Sequence, residues 1–155
     1  MAKNKAPKPK HIDNKKARYN FIILDTIEAG IVLVGTEVKS LRAGQASIDE
    51  AFARIDGHQI VLCDCQIEPY AYGNRQNHEP KRKRTLLLHK RETKKLHQQA
   101  KLKGLTLIPL SIYFNQRGIA KVKLGVVKGK THGDRRQDMK KKDQKRDMDR
   151  AMRRR

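Results

Sequence analysis

The stretch "AFARIDGHQIVLCDCQI", residues 51–67, sets the terms for the rest of the chain. Two apolar, β-prone runs flank Asp56-Gly57. Asp-Gly is a favoured two-residue hairpin turn because its backbone accepts positive φ. Beyond the turn, Val61, Cys63, Cys65 and Ile67 recur at period two, which puts them on one face of a strand. A hairpin with one apolar face must bury that face against more sheet or a helix.

Working outward, the same grammar repeats. "YNFIILDTI" (19–27) and "IVLVG" (31–35) flank Glu28-Ala29-Gly30 and read as a second hairpin turning at Gly30. "TEVKSLRAG" (36–44) reads as a short helix, with Val38 and Leu41 three apart and Gly44 as its stop. "LTLIPLSIYF" (105–114) and "IAKVKLGVV" (119–127) are two further strands joined through Asn115-Gln116-Arg117-Gly118. In the second, Ala120, Val122, Leu124 and Val126 point one way, and Lys121 and Lys123 the other. Residues 69–85 form a long polar loop ending in Lys81-Arg82-Lys83-Arg84. "LLLHKRETKKLHQQAKLKG" (86–104) reads as a helix with Gly104 beyond its end and a capping-box-like His89 and Glu92. The expected fold is mainly β with short helices: a single small antiparallel six-stranded β-barrel, for which an oligonucleotide-binding barrel is the obvious candidate. Three segments follow from composition. Residues 1–13 are a flexible basic arm with Pro7 and Pro9, residues 14–130 are the barrel domain, and residues 131–155 are a basic tail that cannot build a core and is disordered when free.

Charge narrows the function. The formal net charge is +21, and it is concentrated in three blocks. Residues 1–18 carry seven bases and one acid, residues 81–103 ten and one, and residues 128–155 thirteen and five. A near-neutral body with three basic blocks attracts a polyanion, because each neutralised phosphate releases condensed counterions. A membrane surface fits less well, since no basic stretch carries a broad apolar face and no apolar run is long enough to span a bilayer. The N-terminus lacks the apolar segment of a secretory signal. Cys63 and Cys65 lie too close together to staple distant segments. A cytoplasmic protein is expected.

Catalytic readings find little support. None of the six histidines pairs with another at the four-residue spacing of a helical metal site. Cys63-x-Cys65 has no second pair and reads as two small core residues. Asp49-Glu50 beside Ser47 reads as a loop cap, and there is no phosphate-cradling glycine loop. The expectation is a non-enzyme without cofactor or metal. Phe21, Phe52 and Phe114 lie within apolar strands and read as core. That leaves too few aromatics for a base-stacking platform and favours recognition of a folded RNA by shape and phosphates. The candidate cationic contacts are Lys15, Lys16, Arg18, Arg82, Arg84, Lys121, Lys123, Lys128 and Lys130. Glu28 with Gly30, and Glu37 with Lys39 and Ser40, read in two ways: as acceptors for base edges or 2′-hydroxyls, or as surface Glu–Lys pairs.

Several strings are familiar together: "NKKAR" (14–18), "EAGIVLVGTEVKSLRAGQASI" (28–48), "LLLHKRE" (86–92), "LSIYF" (110–114), and "AKVKLGVVKGK" (120–130) followed by "DRR" (134–136). They resemble the small protein B family of bacterial trans-translation, from Asn14 to the end of the chain. The resemblance implies an oligonucleotide-binding-like antiparallel barrel that binds the tRNA-like domain of tmRNA as a monomer, one to one. It also implies entry with that RNA into the vacant decoding site of a stalled ribosome. By match of motif, Asn14, Glu28, Leu87 and Lys121 fall on positions the family uses for tmRNA, and Lys128 and Lys130 on the basic segment leading into the tail. In the family the tail becomes helical in the empty mRNA channel and stands in for the missing codon–anticodon pairing. That assigns His132, Gly133, Asp134, Arg135, Arg136 and Met152 to the decoding-site segment. The chain departs from the family pattern twice. Gly133 occupies a position usually His or Tyr, with His132 one earlier, and His89 stands at a helix cap that is commonly Asn. The rival reading is a general basic ribosome-associated or RNA-chaperone barrel without tmRNA selectivity.

Overall fold

The computed structural model describes residues 10–153, with backbone alone at 102 and 103. Residues 1–9 of the expected arm lie outside the described residues. The β elements are β1 (Ile12–Asp13), β2 (Phe21–Ile31), β3 (Ala46–Ser47), β4 (Phe52–Asp56), β5 (Gln59–Cys63), β6 (Gln66–Ile67), β7 (Arg84–Leu87), β8 (Thr106–Phe114) and β9 (Ala120–Gly129). The α-helices are α1 (Ala17–Asn20), α2 (Gly35–Ala43), α3 (Lys90–Lys103) and α4 (His132–Arg153). The main sheet runs β1-β8-β4-β5-β7-β2-β9, and β9 returns to pair with β8. Six strands, β8, β4, β5, β7, β2 and β9, thereby close into an antiparallel ring. The narrowest seam is β4 to β8, held by the single pair Ala53↔Leu107. The chain is mainly β with short helices, as expected. No helix among the described residues is long and apolar enough to cross a membrane.

The core is the inside of this ring. Ile60, Leu62, Leu86, Leu107, Ile112, Val122, Leu124 and Val126 line it, with Leu41 from α2 and Leu96 from α3 packed against them. The strand pair with the cleanest alternation behaves as read. Ala120, Val122, Leu124 and Val126 are buried, Lys123 is exposed and Lys121 half-buried. Helix α2 also forms as expected and stops at Gly44, whose φ of 76° is left-handed.

Several expectations are corrected. Glu28-Ala29-Gly30 is no turn: β2 runs unbroken through it, pairing with β9 along most of its length and with β7 at its end. The triplet continues the pleat, because Ala29 is buried between exposed Glu28 and half-buried Gly30. In the 51–67 stretch the turn is Gly57-His58, with Asp56 already paired to Gln59. Gly57 supplies the positive φ of 58°. The inward residues of β5 are Ile60 and Leu62, while Val61 is half-buried. Asp64, at φ 53°, breaks the strand and shifts its phase. Cys65 and Ile67 then point inward beside a second, two-stranded sheet, β3 with β6. Phe52 is 37% exposed, because Ala53 takes the inward position. Leu86 and Leu87 belong to strand β7 and not to the helix. Leu86 is buried and paired with Ile60 on one side and Ile31 on the other, a tertiary pairing that outweighs helix propensity. The arm yields β1 at its end, where Ile12 is buried and pairs with Ile112.

The tail, expected to be disordered when free and helical on the ribosome, takes the form here of one 22-residue helix, α4, with no buried residue. Its start is capped reciprocally. The Asp134 carboxylate accepts the Thr131 N–H at 3.0 Å, and the Thr131 hydroxyl accepts the Asp134 N–H at 3.3 Å. No proline interrupts it, and acids interleave with bases along its length. A sequence too polar for a core can still be a good solvated helix.

Candidate nucleic-acid interface

The outward face of β2, β9 and β8 assembles the first group of candidates. Because Ala29, Val122 and Ile112 point inward, Glu28, Lys121, Lys123 and Tyr113 point outward together. Lys121 is paired with Gly30 on β2 and Tyr113 on β8, and Lys123 with Glu28 and Ser111. The Lys121 Nζ lies 3.7 Å from Glu28 Oε1, and the Tyr113 hydroxyl donates to Glu28 Oε2. That hydrogen bond, with burial and the carboxylate's charge, pushes the Tyr113 phenol up to about 12. Gly30 leaves space beside Lys121, and a Cβ built on it would meet the Leu87 Cβ at 3.2 Å. The result is a cleft of about 640 Å³ lined by Glu28, Gly30, Leu87, His89, Ile119 and Lys121. Leu87 is 57% exposed at its wall. Across the Glu28–Tyr113 ridge lies a second cleft of about 1000 Å³, where Lys15, Arg18, Lys123 and Tyr113 meet.

Other candidates act inside the fold. Asn14 is buried, and its amide nitrogen donates to the Ile48 and Pro109 carbonyls at 3.0 and 3.1 Å. Its Oδ1 accepts the Ala17 N–H at 2.9 Å. The side chain thus ties the segment carrying Lys15, Lys16 and Arg18 to the ring. Glu37 and Arg84 are fully buried, leaving no surface for an RNA. Glu37 accepts from Arg82 at 3.1 and 2.8 Å, from Arg84 at 2.9 Å and from the Val34 N–H at 2.9 Å. Burial pushes its carboxyl up, but the Arg82 hydrogen bond, the Val34 amide and the two guanidinium charges outweigh it and hold it below the usual range. Arg84 also donates to the carbonyls of Cys65, Pro80 and Arg82. It therefore anchors the polar loop from within. Ser40 is likewise fully buried, and direct RNA contact by Glu37, Ser40 or Arg84 is corrected to a structural role. Only Arg82 reaches the surface from this cluster, with Lys39 nearby, its Nζ 5.0 Å from the Tyr70 ring centroid.

The third group is the base of the tail. Lys130 Nζ donates to the Arg18 carbonyl and to Asp138 Oδ2, both at 2.6 Å, fastening α4 to α1. The Arg135 guanidinium stands 5.8 Å from the Tyr19 ring centroid. The Thr131 hydroxyl and amide hold the Asp134 carboxyl below its ordinary value. Lys128, His132, Gly133 and Arg136 are exposed, and Met152 is 72% exposed.

The model of the family described as "SmpB protein" matches residues 11–154, covering ring and tail together. The chain belongs to the SmpB family. Among curated relatives, the SsrA-binding protein of Desulforamulus reducens is 53% identical over 143 residues, 92% of this chain and 89% of that protein. The SsrA-binding protein of Geobacter sulfurreducens is 52% identical over 141 residues, 91% of this chain and 92% of that one. A chain of the solved structure "tmRNA-SmpB: a journey to the center of the bacterial ribosome" superposes with a TM-score of 0.67 at 47% identity, covering 81% of this chain and 92% of that chain.

In this SmpB-family chain, three of the four positions singled out by motif, Glu28, Leu87 and Lys121, line one cleft, and Asn14 borders the other. Arg82, Lys39 and the tail belong to neither. Sequence reading missed Tyr113. Ile112 faces the core, so alternation puts Tyr113 on the lysine-bearing side of the ring, but the register shift between Pro109 and Ser111 hides that phase in the sequence.

Proposed function

We propose that this chain binds the tRNA-like domain of tmRNA and delivers it to stalled ribosomes for trans-translation, rescuing the ribosome and tagging the incomplete peptide. The observation that carries the reading is the meeting of Glu28, Gly30, Leu87 and Lys121 in one outward cleft beside a lysine-bearing strand, in a chain about half identical to SsrA-binding proteins. The six-strand ring serves as an oligonucleotide-binding-like barrel. Lys121, Lys123, Lys15, Lys16 and Arg18 meet phosphates, and Glu28 accepts hydrogen bonds from the RNA. Asn14 acts by holding the Lys15–Arg18 segment in place. Arg82 and Lys39 add charge at the rim, and Lys128 and Lys130 carry the surface toward the tail.

The tail supplies what a stalled ribosome lacks. With no codon in the decoding site, no base pairing signals acceptance, and a basic helix in the vacant channel takes that role. Free in solution the segment exchanges between coil and α4, and ribosomal RNA favours the helix by neutralising its cations. His132, Asp134, Arg135, Arg136 and Met152 are the contacts on this reading, with His132 taking over from the position held here by Gly133. The protein works in the cytoplasm as a monomer on one tmRNA, and the role involves no catalytic step. The test is selectivity. Full-length protein is titrated with a tRNA-like fragment of tmRNA and with bulk tRNA at one salt concentration. Tighter binding of the fragment supports the proposal, and equal affinities favour a general basic RNA-binding protein.

A further inference from the structure

The Glu28 carboxylate sits on an open strand face, 54% exposed in its side chain. A glutamate there ordinarily samples many rotamers, and fixing such a long side chain on binding costs conformational entropy. Here both oxygens are already engaged, Oε2 by the Tyr113 hydroxyl and Oε1 by the Lys121 ammonium at 3.7 Å. The two partners reach Glu28 from different strands. Tyr113 stands on β8, two strands from β2, and its side chain crosses the outward face of β9 beside Lys121. Its ring also packs against His11 in a T-shaped pair, with centroids 5.8 Å apart. The phenol is therefore held through its ring as well as through its hydroxyl. A carboxylate offers about four lone-pair sites, so Glu28 retains acceptor capacity toward a ligand.

Tyr113 also lies at a boundary. It lines the larger cleft with Lys15, Arg18 and Lys123, while Glu28 lines the smaller one with Leu87 and Lys121. The hydrogen bond between them is the ridge that joins the two.

We propose that Tyr113 is a positioning residue for RNA recognition, holding the Glu28 carboxylate in its binding rotamer on the ridge between the two clefts. This rests on the reading that Glu28 accepts a hydrogen bond from the RNA. Tyr113 touches the RNA surface without itself supplying the discriminating contact, and its effect passes through Glu28. A hydroxyl that only contributed to folding, or that met RNA independently, would behave differently in a double-mutant cycle.

The cycle uses full-length protein, Tyr113→Phe, Glu28→Ala and the double variant, each titrated with a tRNA-like fragment of tmRNA. Phenylalanine keeps the ring against His11 and leaves net charge unchanged. Tyr113→Phe is expected to weaken binding by roughly three- to tenfold, the worth of an ordinary hydrogen bond. In the Glu28→Ala background it should change affinity by less than about twofold. The salt dependence of Tyr113→Phe should match that of the wild type, because neither a charge nor a phosphate contact is lost. An equal loss in both backgrounds would overturn the proposal, as would no loss from Tyr113→Phe while Glu28→Ala weakens binding. If Glu28→Ala itself leaves affinity unchanged, the reading of Glu28 fails, and the role of Tyr113 falls with it.

Discussion

Glu37 is a carboxylate with no exposed surface, flanked by two guanidinium groups and a backbone amide. Taking one charge from such a cluster strands the others, and Arg84 is itself fully buried. Glu37→Gln should therefore destabilise the fold by about 3–5 kcal/mol, measured by urea unfolding at neutral pH. The pH dependence follows from its lowered carboxyl pKa. A carboxyl depressed in the folded state contributes stability above its ordinary value near 4.5, and that contribution is lost as pH falls through the lower folded value. The gap between wild type and Glu37→Gln should accordingly shrink below about pH 4.5. A constant gap from pH 7 to pH 3 would show that the carboxylate's charge is not what the arginines need. None of this was legible from residue types. Glu37 and Arg84 are 47 positions apart, and one reading of Glu37-x-Lys39-Ser40 was a surface pair. Burial by the ring, a tertiary fact, made it a core cluster.

Elements were legible where one periodicity ran without interruption. In β9 the alternation of Ala120, Val122, Leu124 and Val126 sets the inward face, although Val127 is buried on the other side in a second cluster with Ile108, and in β8 a register shift between Pro109 and Ser111 breaks the phase. Strand β2 misled because Glu-Ala-Gly is also turn chemistry, and only the pairing of Gly30 with Lys121 and Leu87 decides for extension. The Asp64 kink was invisible for the opposite reason, since a positive φ at a non-glycine is imposed by its surroundings. Helix α4 buries no residue, with Asp134 and Arg135 half-buried at its start, so its stability rests on its cap, on the contacts at its base and on charge patterning. Thr131→Ala removes the hydroxyl that serves Asp134 and should cost the helix about 1 kcal/mol. Far-UV circular dichroism should show helix content falling while the melting temperature of the ring stays put. A falling melting temperature with unchanged helix content would mean that Thr131 supports the ring and not α4.

At the scale of the molecule, charge and fold divide the work. The arm, the 81–103 block and the tail carry the excess cations, while the ring supplies a rigid face on which Lys121 and Lys123 stand at fixed spacing. Buried Arg84 shares the single Glu37 carboxylate with Arg82 and Lys95 faces Asp25 at 3.0 Å, so not every base of the central block is available to an RNA. If about five phosphates are met, log K should fall with log salt at a slope of roughly −3 to −5. Lys123→Ala should make that slope shallower by about one. An unchanged slope in a salt titration would place Lys123 outside the interface.

On the proposed function two roles separate: the ring binds the tRNA-like RNA, and α4 acts only on the ribosome. Among the described residues, the buried core lies within 12–130, and the tail adds no buried residue to it. A chain ending at Lys130 should fold, and the decisive measurement is its affinity for the tRNA-like fragment alongside peptide tagging on stalled ribosomes. The predicted result is binding within about tenfold of the full chain, roughly 1.4 kcal/mol, with tagging abolished. Normal tagging without residues 131–155 would contradict the role given to the tail, and a collapse of affinity in the folded truncation would show that α4 belongs to the RNA-binding surface.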